Sequence, residues 1–342
     1  MQDSNSQLTT RKLWIDNLRG LSMVAILLFH TEMYYAGYDI IPYSFYVENA
    51  LAMFFFLSGY LFYKDNGTIH PKQKIFSIAV NLIIPYFIFT TLIALPKALA
   101  HGEEINILTL ASEILLGEAS WFIAALIVAE FIFTLLLWIT RGRHIILTPV
   151  IIILTALAFA IGNLENANYN TYNFWHINEA LLALLFLYLG YAYHQFEKSL
   201  TPRIAYLVPL AACLIILKYI EYRYEWKMVM GPIVVTSIPT FLCDCIISCL
   251  LLSSIFAHFI PQTSHLAPRA LSWTGSHCLV YYFICGGVPL LTAKIMTSIG
   301  LPYNDQYWRV ALVFIIVYIV ATAITWFIYR YLPFMVSVRK RK

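Results

Sequence analysis

The sequence is a succession of apolar runs, each about as long as a bilayer is thick. A helix rises about 1.5 Å per residue, so crossing about 30 Å of hydrocarbon takes about 20 apolar residues. Runs of that kind fall near residues 15–36, 44–63, 76–96, 119–139, 145–162, 176–194, 204–220, 233–257, 271–293 and 308–332. Turn and breaker residues separate them: Gly37 and Pro42, Gly67 and Pro71, Gly102, Gly142, the Asn-rich stretch 163–173, Pro202, Gly231-Pro232, Pro261, Pro268, and Gly300 with Pro302. Composition agrees with this pattern. Of 342 residues, 61% are hydrophobic and 12% charged, whereas soluble domains run about 45–50% apolar and about 25% charged. A water-soluble fold, a disordered chain and a nucleic-acid binder are thereby excluded.

The expected fold class is an all-α integral membrane protein, a bundle of about ten transmembrane helices. It divides into an N-terminal tail over 1–14, one membrane domain over 15–332 and a basic tail over 333–342. The first 13 residues are polar and lack a cleavage site of small residues, so the first run reads as a retained helix. All six cysteines (Cys213, Cys243, Cys245, Cys249, Cys278 and Cys285) fall in apolar runs without a CxxC or a second ligand pair. They are expected as small hydrophobes, with neither disulfide nor metal implied.

Charge placement sets the expected orientation. Of the 22 Lys and Arg, fourteen fall in the alternate segments that include both termini, among them Lys64, Lys72, Lys74, Arg141 and Arg143. Six, including Lys97, Lys218 and Arg309, fall in the opposite segments. By the positive-inside rule both termini lie in the cytoplasm, and the span count is even.

Ionisable side chains within a span cost about 3 kcal/mol or more to insert, so each is a candidate for function. The first span carries the richest set: Asp16, Arg19 and His30. Arg19 and His30 are three helical turns plus about 20° apart, hence on one face and about 16 Å from each other, and Asp16 joins that face one turn earlier. An Asp16–Arg19 ion pair near the interface and an interhelical hydrogen bond of His30 are the plain readings of these residues singly. Together they make a stripe unsuited to lipid, and an imidazole there can take a proton from a hydroxyl near neutral pH. Glu130 and Asp244 lie mid-span, as structural hydrogen-bond partners or as carboxylates that orient His30. Trp121, Tyr172, Trp175, His176, Asn178 and Glu179 suit a saccharide, or anchor the chain at an interface. Ser58 beside Gly59 reads as helix packing.

The run Ile15-Asp16-Asn17-Leu18-Arg19-Gly20, followed by His30 at an Arg-x10-His spacing, resembles the opening of the acyltransferase 3 family of membrane O-acyltransferases. Further stretches are similar in order along the chain: Phe54 to Leu61 with its Ser-Gly, Trp121 to Leu126, and Phe186 to Tyr191. The family's Arg-rich lead into the third helix is missing from Ser77 to Tyr86, so Lys64, Lys72 and Lys74 are expected in its donor-phosphate role. Cys285 occupies the place of a late family histidine.

The resemblance implies an O-acyltransferase, most simply an O-acetyltransferase, multi-pass in the cell (inner or plasma) membrane. Its partners are acyl-CoA (acetyl-CoA) as co-substrate, membrane lipids, and a glycan or lipid-linked sugar acceptor; no permanently bound cofactor and no nucleic acid are expected. His30, Arg19 and Asp16 are the expected catalytic residues, Arg19, Lys64, Lys72 and Lys74 the donor contacts, and Trp121, Trp175, His176 and Glu179 the acceptor contacts. A transporter or flippase of envelope polysaccharide intermediates is the alternative, since it too needs buried charge in a helix bundle.

Overall fold

The computed structural model describes residues 12–64, 70–102, 105–167, 173–197, 204–259 and 266–336. Every apolar run contains helix. First come α1 (Leu13–Tyr35) and α2 (Tyr43–Tyr60), then α3 (Pro71–Ile78), which widens through a π turn over Ala79–Ile83 into α4 (Ile84–His101). The short α5 (Ile107–Leu116) precedes α6 (Trp121–Thr140), α7 (His144–Ala167), α8 (Ile177–Phe196) and α9 (Ile204–Arg223). Two-residue strands β1 (Met228–Val229) and β2 (Val234–Val235) pair antiparallel in a hairpin ahead of α10 (Ile238–His258). Then follow α11 (Leu266–Ser276), α12 (Cys278–Ile284), α13 (Gly287–Ser298) and α14 (Tyr307–Tyr331).

Among the described residues, eight helices are long and apolar enough to cross a membrane, or nine if α12 and α13, bent by 49°, make one span. The remaining expected span, α2, is helical over 18 residues but falls outside that set; Glu48, Asn49 and Ser58 dilute its apolar character. The single span expected over 271–293 is broken into α11, α12 and α13. The span expected from 233 begins at Ile238, because the hairpin takes up the preceding residues. α7 runs on to Ala167, through part of the Asn-rich stretch expected as a loop, while Tyr172 lies outside the described residues.

The outside of the bundle is apolar in a way water would not tolerate. Ile215 and Ile216 of α9 are 69% and 58% exposed, and Ile319, Trp326 and Phe327 of α14 are similarly bare. Contiguous apolar surface of that extent is what a lipid-facing wall requires. The interior is built around α1, α2 and α8, where Leu18, Met23, Leu27, Phe55, Phe56 and Phe186 are buried. Two glycine contacts set the helix spacing. A Cβ on Gly59 would stand 1.9 Å from the Leu187 carbonyl oxygen of α8, and one on Gly275 of α11 would stand 1.8 Å from the Asp16 carbonyl oxygen of α1. Backbones approach this closely only where small residues meet, the usual device of membrane helices. Ser58-Gly59 is therefore a packing element, as its sequence suggested, with Ser58 donating to Glu130 as well.

Polar ties fix the two ends of the α1–α2 pair. At one end Lys12 pairs with Glu197 at 2.6 Å and donates to Tyr60, joining the start of α1 to the ends of α2 and α8. At the other, buried Glu32 accepts from Ile40 N–H at 3.1 Å, Ile41 N–H at 3.3 Å and the Tyr46 hydroxyl at 3.3 Å, which closes the turn into α2. They mark a Lys12 end and a His30 end of the bundle.

Candidate active site

His30 sits in the second half of α1, half-buried, with Tyr34 stacked one turn further on at 6.1 Å between ring centroids and Phe29 at 5.5 Å. Its imidazole makes no hydrogen bond among the described residues. It opens instead on two cavities. One, of about 340 Å³, is walled by α1, α4, α5, the start of α6 and the α12–α13 break, and includes Tyr34, Ser120, Glu113, Glu118 and Cys285. The other, of about 450 Å³, lies against α2 and the hairpin and includes Tyr43, Val47, Val229 and Gly231. His30, Trp121 and Tyr282 line both, so the imidazole can be reached from two sides.

Arg19 is half-buried and likewise makes no hydrogen bond or ion pair among the described residues. The Asp16–Arg19 ion pair, the plain reading of these two residues, is not formed. Asp16 is buried against α11, its backbone carbonyl closed in by Gly275, and both residues lie within electrostatic reach of Cys278 at the start of α12. Helix geometry keeps Arg19 about 16 Å from His30, toward the Lys12 end. The three expected lysines lie near that end too, after α2 and in α3, but they differ in availability. Lys64 and Lys72 are exposed, whereas Lys74 pairs with Glu130 at 2.9 Å and lies over the Phe62 ring at 3.8 Å.

The four expected acceptor contacts separate into two groups. Trp121 opens α6 and faces both cavities beside His30. Trp175, His176 and Glu179 stand behind it. Trp175 donates its indole N–H to the Leu115 carbonyl at 3.0 Å and packs on Tyr86 at 5.2 Å, fastening the end of α5. His176 lies 3.6 Å from a Glu118 oxygen and 3.4 Å from one of Glu179, and Glu179 accepts from the Asn173 amide at 2.6 Å. Trp175 and His176 both have φ of 51°, a left-handed conformation that non-glycine residues rarely hold and that clusters at functional sites. Glu118 links the groups, because it lines the first cavity and touches His176.

Neither mid-span carboxylate orients His30. Glu130 is taken by Lys74 and Ser58, and Asp244 by Lys218 at 2.6 Å and Asn49 at 2.8 Å. Lys218, counted from sequence among the loop cations, lies inside α9, drawn there by Asp244. Sequence reasoning missed Ser120, Tyr34 and Tyr282 as cavity walls. Only the aromatic and small residues crowding the second half of α1 and the start of α6 could have hinted at them.

A multi-pass membrane protein in which an imidazole between two cavities, and a guanidinium on the same helix, make no hydrogen bond among the described residues has the parts of a membrane-bound acyl-transfer enzyme. The comparison with protein families is decisive on that class. The chain belongs to the acyltransferase 3 family, whose profile, described as an acyltransferase domain, matches residues 12–330. No curated protein and no solved structure matches it.

Proposed function

We propose that this acyltransferase is an O-acyltransferase, most simply an O-acetyltransferase, that moves an acyl group from cytoplasmic acyl-CoA to a hydroxyl of a cell-envelope saccharide or lipid-linked sugar. The observation that carries the reading is His30, whose imidazole makes no hydrogen bond among the described residues and is shared by two cavities. In the reaction the imidazole takes the hydroxyl proton while the hydroxyl oxygen attacks the thioester carbonyl carbon. The carbon–sulfur bond then breaks, and the thiolate leaves with the proton that the imidazolium returns. A positioned base of this kind contributes about 10²- to 10⁴-fold.

The bundle sits in the inner or plasma membrane with both termini and the Lys12 end in the cytoplasm, α2 counting as the tenth span. The donor enters from the Lys12 end past Arg19, with Lys64 and Lys72 on the CoA phosphates and Lys74 holding α3 through Glu130. Asp16 sets the α1–α11 contact beside Arg19. The acceptor reaches His30 from the opposite end, its sugar ring against Trp121, while Trp175, His176 and Glu179 hold Trp121 in place from behind. Membership of an acyltransferase family weighs against the transporter alternative.

The test is to incubate purified protein with labelled acetyl-CoA and an extract of envelope glycans and lipid-linked sugars. Protein-dependent loss of thioester with label recovered as an alkali-labile ester supports the reading. Intact acetyl-CoA, with label nowhere transferred, rejects the donor assignment.

A further inference from the structure

Away from His30, α2, α9 and α10 enclose a second polar network. Glu48 is fully buried, and Glu221 and Asp244 are 1% and 2% exposed. One cation stands among the three and pairs with two of them. The Lys218 ammonium donates to Asp244 at 2.6 Å, to Glu221 at 3.3 Å, to the Asn49 side-chain carbonyl at 2.7 Å, and to the Ser44 backbone carbonyl. Asn49 in turn donates to Asp244 at 2.8 Å and to Ser248 at 2.7 Å. Glu48 makes no ion pair among the described residues. One of its oxygens accepts the Met230 N–H at 3.2 Å, which fastens the tip of the hairpin to α2.

Each carboxyl group keeps one oxygen over. Glu48 Oε1, Glu221 Oε1 and Asp244 Oδ1 are buried and have no hydrogen-bond partner. With all three groups ionised, the network would set three negative charges against one positive charge, and three bare acceptors would face no donor. Uncompensated buried charge costs several kcal/mol, and an unmet buried acceptor costs more again. A carboxyl group that holds a proton is a donor. A proton on one of these oxygens thus removes one surplus charge and turns a bare acceptor into a donor.

We propose that Glu48, Glu221 and Asp244 form a proton-binding site, in which protons on the orphaned carboxyl oxygens balance the charge that Lys218 leaves over. The groups within electrostatic reach of Glu48 are Lys218 and Glu221 of α9, Asp244 and Cys245 of α10, and Tyr43 of its own helix, alongside the Met230 N–H of the hairpin. Lys218 is the one cation among them. Tyr43 also lines the second cavity beside His30, so the site stands one side chain away from it. A metal ion is the competing ligand, and it needs a cage. Among the described residues no group of three or more His, Cys, Asp or Glu side chains has a geometry that could hold one.

Infrared spectroscopy of the full chain in detergent tests this without reference to acyl transfer, so its failure leaves the proposed function standing. At neutral pH the protein should show the C=O stretch of a protonated carboxyl, lost on alkalinisation and indifferent to sodium at fixed pH. At least one of Glu48→Gln, Glu221→Gln and Asp244→Asn, each confirmed as folded by its elution, should remove the intensity of one carboxyl. Lys218→Met, which deletes the cation of this network, should add the intensity of one further carboxyl. Three variants with unaltered spectra overturn the proposal, as does a Lys218→Met spectrum without the gain. A band that sodium abolishes at constant pH makes the ligand a metal cation and overturns it equally.

Discussion

His30 and Arg19 share a property that separates them from the other charged side chains of the core: nothing in the described protein answers them. Glu130, Lys74, Lys218 and Asp244 are all paired. His30→Gln keeps a polar side chain of similar reach but cannot accept a proton at neutral pH, so transfer should fall about 100-fold or more with folded protein still in the membrane. Labelled-acetyl transfer measures it; a variant with near-normal turnover would exclude the general-base role. Arg19→Lys keeps the charge and loses the planar fork, and the lost activity should not return at saturating donor. Full activity would reduce Arg19 to an anchor. Neutralising Lys64 and Lys72 together should raise the donor KM and flatten its salt dependence while leaving kcat nearly unchanged, because distant phosphate contacts act through uniform binding and are screened by salt. An unchanged KM would move the phosphates elsewhere. His30 and Trp121 could be read from sequence because intramembrane charge and aromatic placement are local signals. The pairing of Lys218 with Asp244 could not, since only the packing of α9 on α10 makes them neighbours.

At the level of helices, apolar run length foretold where helices lie but not where they break. A hydropathy window averages over about 19 residues and is blind to the backbone, so the chain over 271–293 looks continuous although it turns at Cys285 and Gly286 between α12 and α13. The same averaging hid the hairpin, whose tip residues Met230 and Ile233 are apolar and buried like those of a span. Glycines carry the contacts that no window registers. Gly275→Ala would drive a methyl group to 1.8 Å from the Asp16 carbonyl oxygen, which can be relieved only by separating α1 from α11. Overpacking of this kind costs about 1–3 kcal/mol, and here backbone rather than a flexible side chain must yield. Thermal unfolding in detergent should show a lower Tm for Gly275→Ala, with activity reduced because Arg19 and Asp16 ride on the displaced helix. Gly287→Ala, where an added Cβ meets nothing within 4 Å, is the control and should unfold like wild type. Equal stability of the two variants would mean that α1 and α11 are free to separate.

For the molecule as a whole, the proposed arrangement in the bilayer rests on the unequal distribution of Lys and Arg, and single-cysteine labelling tests it. Cysteines placed at Lys72 and Arg143, in a background cleared of native thiols, should react with an impermeant maleimide only after the cytoplasmic face is opened. Labelling from outside at either position would invert the bundle and with it the direction of donor entry. Asn168, the natural site for the opposite label, lies outside the described residues. The close crossing of α1 and α11 has one further consequence, for how such a chain is made. The ribosome delivers α1 long before α11, and α2 can cover only one flank of the first helix meanwhile. The face of α1 that carries Gly20 and the Asp16 carbonyl therefore waits in the membrane without the helix that later packs on it, and a chain interrupted before α11 would leave that face uncovered.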